Sequence, residues 1–153
     1  MRILIDGDGC PVIGLTLELA GPVPVWVFSD VNHCPGDIRA RWVTVDAGRD
    51  SADLALANRA QPGDIVVTQD YALAALALAR GAACLHQDGW RYDEAHIDGL
   101  LASRPPAQRI RRAGGRTKGP HRRGKRQDEQ YARELTALLA EMRKNEEKAN
   151  GNA

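Results

Sequence analysis

The sequence predicts an α/β domain built on a central, mostly parallel sheet with helices on both faces. Three observations carry that expectation. Strand-like and helix-like stretches alternate from the first residue to about Ser103, the order that builds parallel sheets with crossover helices. The run Asp64-Ile65-Val66-Val67-Thr68 is apolar enough to be buried on both faces, as the strands of parallel sheets are. Several strand-like runs also close on aspartate, and in open parallel sheets ligand crevices form beyond the carboxyl ends of the strands.

The elements follow in order. Arg2-Ile3-Leu4-Ile5 is the first strand, and it ends in Asp6-Gly7-Asp8-Gly9. If extension persists through Asp8, the two carboxylates share one face, because residues two apart on a strand do so. Pro11 suits the first turn of a helix, where its missing N–H costs nothing; that helix runs past Glu18 towards Gly21-Pro22. Val23 to Phe28 reads as the second strand, Asn32 to Asp37 as a loop, and Trp42 to Val45 as the third strand, closing on Asp46-Ala47-Gly48-Arg49-Asp50. A helix follows from Ser51 to Ala60, then the fourth strand ending in Thr68-Gln69-Asp70. The Ala/Leu-rich helix from Ala72 to Arg80 stops at Gly81, a common C-terminal breaker. Ala83 to His86 is a short fifth strand, and a further helix spans roughly Glu94 to Ser103.

Beyond Pro105-Pro106 the pattern changes. Between Arg104 and Arg126 stand ten Lys/Arg and no acid, which leaves eleven basic against twenty acidic residues elsewhere, a balance of −9. Such asymmetry suggests carboxylate chemistry on one part and contact with a polyanion on another. The expected organisation is therefore a domain over 1–103, a basic Arg/Gly-rich arm over 104–126, and an amphipathic helix over 127–147. That helix carries Tyr131, Leu135, Leu138, Leu139 and Met142 on one side, and packs on or beside the domain.

At 153 residues the chain can bury a real core. No apolar stretch approaches the ~20 residues of a membrane span, and Asp6 and Asp8 interrupt the only leader-like run. Three cysteines (Cys10, Cys34, Cys84) cannot all pair within one chain, so reduced thiols and a cytoplasmic location are expected. No Cys or His spacing supports zinc.

The acidic residues admit two readings. Taken singly, Asp6 and Asp8 are turn formers, Asp50 and Asp70 are helix caps, and Asp53 serves a first helical turn. Taken together, Asp6 and Asp8 follow the first strand, Asp50 and Asp53 the third, and Asp70 the fourth, so all converge on one edge of a parallel sheet. Like charges so gathered raise one another's pKa unless a cation lies between them, and oxygen-rich acidic sites suit Mg²⁺ or Mn²⁺. Such an ion activates water and steadies the oxygens of a phosphodiester under attack. Cys10 at a helix N-terminus would have a lowered pKa, which the neighbouring aspartates oppose; a structural role is expected for it.

The patterns Asp6-x-Asp8-x-Cys10-Pro11-Val12, Gly48-x-Asp50-x-Ala52-Asp53 and Thr68-x-Asp70-x-x-Leu73-Ala74, with Gly114-Gly115-Arg116-Thr117-Lys118-Gly119-Pro120 and Asp128, resemble the YaiI/YqxD family of uncharacterised bacterial proteins. The resemblance covers essentially the whole chain to about residue 140. It implies a PIN-like three-layer fold, whose nuclease members gather Asp side chains around divalent metal. Carried over, Asp6 is the first-strand carboxylate, Asp50 or Asp53 that of the helix, and Asp70 that of the Thr-x-Asp motif. Asp8 and Cys10 belong to the family's own signature. Gly9 stands where alanine is expected, a difference expected to matter little.

The resulting expectation is a metal-dependent nuclease acting on RNA. Asp6, Asp50, Asp53 and Asp70 would be catalytic, with Asp8 joining them around Mg²⁺ or Mn²⁺ and Thr68 and Cys10 in support. Arg109, Arg111, Arg112, Arg116, Lys118, Arg122, Arg123, Lys125 and Arg126 would grip the nucleic acid. One alternative is an RNA-binding protein without catalysis, which needs only the arm. Another is a phosphatase of the haloacid-dehalogenase type, with Asp6 as nucleophile and Asp8 as general acid. No lysine stands between Arg2 and Lys118 to balance a phosphate in that reading.

Overall fold

The structure, a computed structural model, describes residues 1–30, 38–45, 51–99 and 123–151, without the side chain of Ser51. The loop expected over 32–37, with Cys34, lies outside those residues. So do Asp50 and residues 100–122, with Arg109, Arg111, Arg112, Arg116, Lys118 and Arg122.

Six strands form one sheet: β1 (Ile3–Asp6), β2 (Val25–Asp30), β3 (Arg41–Val45), β4 (Ile65–Val67), β5 (Ala83–Leu85) and β6 (Arg91–Tyr92). Their order is β3-β2-β1-β4-β5-β6. The first five run parallel, and β6 is antiparallel to β5. The helices are α1 (Ile13–Ala20), α2 (Ser51–Arg59), α3 (Tyr71–Ala79), a helical segment α4 over 94–99, and α5 (Lys125–Gly151).

Strand alternation divides the core into two layers. Ile3, Ile5, Val25, Val27, Ile65 and Val67 face α1 and α5, where Leu17, Ala20, Tyr131, Leu135, Leu138 and Leu139 are buried against them. Leu4, Phe28, Val66 and Cys84 face the other way, onto Leu56 and Ala57 of α2 and Leu73, Ala74 and Ala77 of α3. The expected helices on both faces are therefore present. The apolar stripe of α5 closes the first layer, and its buried Tyr131 hydroxyl lies 2.6 Å from Thr16 Oγ1. Since Thr16 Oγ1 donates to Val12 O at 2.6 Å, Tyr131 is the donor in this pair.

Several boundaries differ from expectation. β1 stops at Asp6, and Asp8 lies in a turn closed by Cys10 N–H on Gly7 O at 3.3 Å. Gly9 occupies its third position at φ 70°, where a side chain strains the backbone. Glycine in place of alanine thus has a conformational reason. α1 begins at Ile13, two residues beyond Pro11. β2 continues to Asp30 rather than ending at Phe28. β6 was not expected at all, because two residues give no period. α5 starts at Lys125, so Lys125 and Arg126 belong to a helix and not to an irregular arm. The end of α3 follows expectation: Gly81 at φ 87° donates to Leu78 O (2.9 Å) and Ala82 to Ala77 O (3.1 Å), satisfying two terminal carbonyls.

The strand order reverses at β1. The chain moves outward through β2 and β3, then returns to build β4 and β5 on the other side of β1. The crevice beyond the carboxyl ends of β1 and β4 is therefore the topological switch point, where open α/β sheets bind ligands.

Candidate active site at the switch point

Asp6 is the last residue of β1 and pairs in register with Phe28. It alternates with Ile5, so its side chain belongs to the α2/α3 face with Leu4. The chain then leaves the sheet tightly: Gly7 N–H donates to Phe28 O at 2.8 Å, and a Cβ on Gly7 would stand 2.6 Å from Val27 Cγ1. Only glycine lets the backbone turn this close to β2, and the turn sets Asp8 beside Asp6.

From β4 come Thr68 and Asp70. Thr68 is buried; its hydroxyl donates to Asp6 Oδ2 at 3.0 Å and accepts from Asp70 N–H at 3.0 Å. Asp70 is the N-cap of α3, its Oδ1 accepting from Ala72 N–H (2.9 Å) and Leu73 N–H (3.4 Å). The capping role open to Asp70 from sequence is therefore real, and it orients the carboxylate. Asp53 sits in the first turn of α2.

These groups act on one another electrostatically. Burial pushes the Asp6 carboxyl from 3.8 up to about 6, with the charge of Asp53 adding most after burial and those of Asp8 and Asp70 adding less. The Thr68 hydrogen bond opposes the rise. Asp6, Asp8, Asp53 and Asp70 thus share one electrostatic neighbourhood. Among the described residues, however, no three His, Cys, Asp or Glu side chains stand close enough together to hold one metal ion between them.

Sequence reasoning missed Asp30. The extra residues of β2 carry it to the same sheet edge, on the Asp6 face by strand alternation. Its signal was Ser29-Asp30 directly after an apolar strand.

Cys10 is a packing residue. It lies against the α1/α5 core layer, and burial pushes its thiol up to about 11, outweighing the Val12 backbone hydrogen bond that lowers it. The lowering expected at a helix N-terminus does not prevail, because α1 starts three residues later.

The described cations of the basic segment divide. Arg123 is committed: its Nη1 donates to Asp88 Oδ1 and Gln87 O, both at 2.7 Å, and Nη2 to Asp128 Oδ1 at 2.7 Å. It ties α5 to the β5–β6 turn and is withdrawn from the set available to a phosphate. Lys125 and Arg126 are exposed on the first turn of α5.

A second feature unforeseen from sequence is an aromatic group beside β5. His86 and Trp90 rings stack at 4.4 Å with an 11° interplanar angle. Tyr92 and His96 pack on Trp90 at 4.5 and 4.4 Å. Tyr92 also donates to Thr68 O at 3.1 Å, linking this group to the residue that holds Asp6. Gln87-Asp88-Gly89 between strand-like runs was the available hairpin signal.

The family profile described as "Uncharacterized BCR, YaiI/YqxD family" matches residues 4–141. This chain belongs to the YaiI/YqxD family. It is similar to a UPF0178 protein of Exiguobacterium sibiricum, 46% identical over 141 residues, covering 92% of this chain and 98% of the relative. A UPF0178 protein of Ruminiclostridium cellulolyticum is 45% identical over 91% of this chain and 92% of its own. One from Natranaerobius thermophilus is 42% identical over 94% and 99%. No solved structure matches. The matched span takes in every described acidic residue of the switch point, together with the aromatic group and most of α5.

Proposed function

We propose that this YaiI/YqxD-family chain is a metal-dependent nuclease with a PIN-like domain, cleaving phosphodiester bonds of RNA in the cytoplasm. The observation that carries the reading is the gathering of Asp6, Asp8, Asp53 and Asp70 at the switch point, close enough to raise the Asp6 carboxyl to about 6. A cation relieves that repulsion. The donor set is all carboxylate oxygen, which fits Mg²⁺ or Mn²⁺. Mg²⁺ keeps several waters and uses one or two carboxylates, so carboxylates spaced more widely than a tight chelate still suit it. Asp6 and Asp70 would hold it, with Asp8, Asp50 and Asp53 completing the negative field.

When bound, the ion would neutralise phosphate charge and lower the pKa of a coordinated water. The chain's own groups do the positioning. Thr68 fixes one oxygen of Asp6 and, through the Asp70 N–H, the start of α3. The helix N–H groups hold Oδ1 of Asp70, so Oδ2 is the oxygen offered to the ion.

The test is cleavage of labelled RNA by purified protein with Mg²⁺, with Mn²⁺ and with chelator. Cleavage should need metal and be lost in Asp6→Asn and Asp70→Asn. Equal activity in wild type and Asp70→Asn would mean a contaminating nuclease. A second reading, RNA binding without catalysis, is favoured by the lack of a three-residue chelate among the described residues. It takes over if neither metal binds at millimolar concentration.

A further inference from the structure

Between the β5–β6 turn and the first turns of α5 lies an open cleft of about 390 Å³, lined by Asp88, Trp90, Arg126, Gln127 and Gln130. We infer that this cleft is a nucleobase subsite for single-stranded RNA, with Trp90 as the stacking surface and Arg126 as the phosphate contact. The inference rests on the nuclease reading for its substrate class and names where a base of that substrate sits.

The chemistry of the lining fits a base better than an apolar ligand. Trp90 is half-buried and steadied by His86, Tyr92 and His96, so its ring offers a surface whose orientation is already set. Base–aromatic stacking is tolerant of sequence, because every base has a π-face. The amides beside it differ in character. Gln127 Oε1 accepts from Gly124 N–H at 2.9 Å, and Gln130 Nε2 donates to Gly89 O at 3.3 Å. An NH₂ donor on Gln127 and a carbonyl acceptor on Gln130 therefore remain as the complementary pair that reads the edge of a base. The Asp88 carboxylate, held by Arg123, adds an acceptor for an exocyclic amine.

The walls are rigid. Gly89 has φ 89°, and a Cβ there would stand 2.5 Å from the backbone of Gln130 and Tyr131. The turn is thus pressed directly onto α5, and Arg123 pins both sides. Preorganised walls reduce the ordering cost of binding.

The position also fits. β5 is two strands from β1, so at about 4.8 Å per strand the cleft side of the sheet begins roughly 10 Å from Asp6. Tyr92 bridges the interval by its hydrogen bond to Thr68 O, and Asp70 and Asp88 both bear on its hydroxyl. A strand laid across the carboxyl edge would place a base at Trp90 while a nearby phosphate lies over the aspartates.

The experiment titrates full-length protein, in chelator, with ribonucleoside 5′-monophosphates and the matching nucleosides, read by calorimetry and by NMR of the Trp90 indole. Wild type should bind, Trp90→Ala should weaken binding about tenfold or more, and Trp90→Phe should keep most of it. Because Trp90→Ala also removes packing, Arg126→Ala gives an independent reading: it should lower nucleotide affinity to the nucleoside level and leave nucleosides unaffected. No saturable binding by wild type, or equal affinities in wild type and Trp90→Ala, overturns the subsite. Cleavage assays on the same samples separate the two ideas. Metal-dependent cleavage with affinity and KM indifferent to Trp90 sinks the subsite alone, whereas Trp90-dependent binding without cleavage in any metal supports the subsite and sinks the nuclease.

Discussion

Thr68 Oγ1 stands 3.0 Å from Asp6 Oδ2, and the direction of that hydrogen bond is fixed by its neighbour. The Asp70 N–H, also at 3.0 Å, can only donate, so the hydroxyl must spend its proton on Asp6. One side chain thereby ties the end of β1 to the start of α3 and favours the ionised form of Asp6. Thr68→Val keeps the volume but removes both bonds, and it leaves the Asp70 N–H unpaired at a cost of about 1–3 kcal/mol. The Asp6 carboxyl midpoint should then rise above its present value of about 6, followed by carboxyl carbon NMR against pH. An unmoved midpoint would show that Thr68 does not govern Asp6.

The raised Asp6 carboxyl makes metal-free stability depend on pH in a specific direction. Below pH 3.8 Asp6 is protonated in both states. Between 3.8 and about 6 the folded chain retains a proton that the unfolded chain releases, so stability falls as pH rises through this window. The gap from 3.8 to about 6 corresponds to roughly 3 kcal/mol. Asp6→Asn removes the charge, so its denaturation midpoint in chelator should exceed that of wild type at pH 8 and approach it near pH 4. Added Mg²⁺ or Mn²⁺ should stabilise wild type at pH 8 and leave Asp6→Asn unchanged. A wild-type curve flat from pH 4 to 7, with flatness shared by the variant, would contradict the electrostatic account.

Asp70 separates structural from chemical roles. Asparagine caps a helix about as well as aspartate, whereas alanine costs about 1 kcal/mol. Asp70→Asn should therefore keep metal-free stability close to wild type while weakening metal binding, and Asp70→Ala should lose both. Thermal denaturation and metal titration of the two variants side by side check this. If Asp70→Asn binds metal as wild type does, Asp70 is a cap and nothing more.

What the sequence made legible was the part written in period and punctuation. Apolar runs separated by helix-length stretches predict the parallel sheet, and the aspartates at strand ends predict the edge where Asp6 and Asp70 lie. The misses have physical causes. Asp8 leaves the strand because the positive-φ turn at Gly9 competes with extension, a conformational demand that a glycine alone does not announce. β6 has two residues, too few for alternation to show. Arg123 looked like one cation in a basic run, yet its partners Gln87 and Asp88 are some 35 positions away in sequence, and no local pattern reports them. The aromatic group arises in the same way, from a turn that folds Trp90 back onto His86.

Gly89 is the tightest point between the sheet and α5. A methyl group there would stand 2.5 Å from Gln130 C and Tyr131 N, which are backbone atoms and cannot swing aside. Its φ of 89° adds strain for any L side chain. Gly89→Ala should therefore destabilise by about 1–3 kcal/mol and loosen the anchoring of α5, seen as faster amide exchange over Tyr131 to Leu139. Gly14, with no atom near its would-be Cβ, is the control, and Gly14→Ala should be neutral or stabilising. Equal effects at the two positions would mean that α5 is not held through this turn.

Arg123 and Arg126 stand three residues apart at the start of one helix but should answer to different assays. Arg123 makes ion pairs at 2.7 Å to Asp88 and Asp128, so Arg123→Gln removes a tie between α5 and the turn and should lower thermal stability. Its effect on RNA affinity should be small once the fold is restored by lower temperature. Arg126 is exposed and lines the cleft beside Trp90, so Arg126→Gln should leave stability within about 0.5 kcal/mol and weaken RNA binding. For a single strand, the slope of log affinity against log salt is about −0.7 per phosphate neutralised. Losing one phosphate contact should therefore make the slope shallower by about 0.7, whereas Arg123→Gln should leave it unchanged. Binding measured from low to moderate salt for wild type and both variants decides the matter. A slope altered by Arg123→Gln and not by Arg126→Gln would reverse the assignment, and would mean that the ion pairs with Asp88 and Asp128 open to receive the nucleic acid.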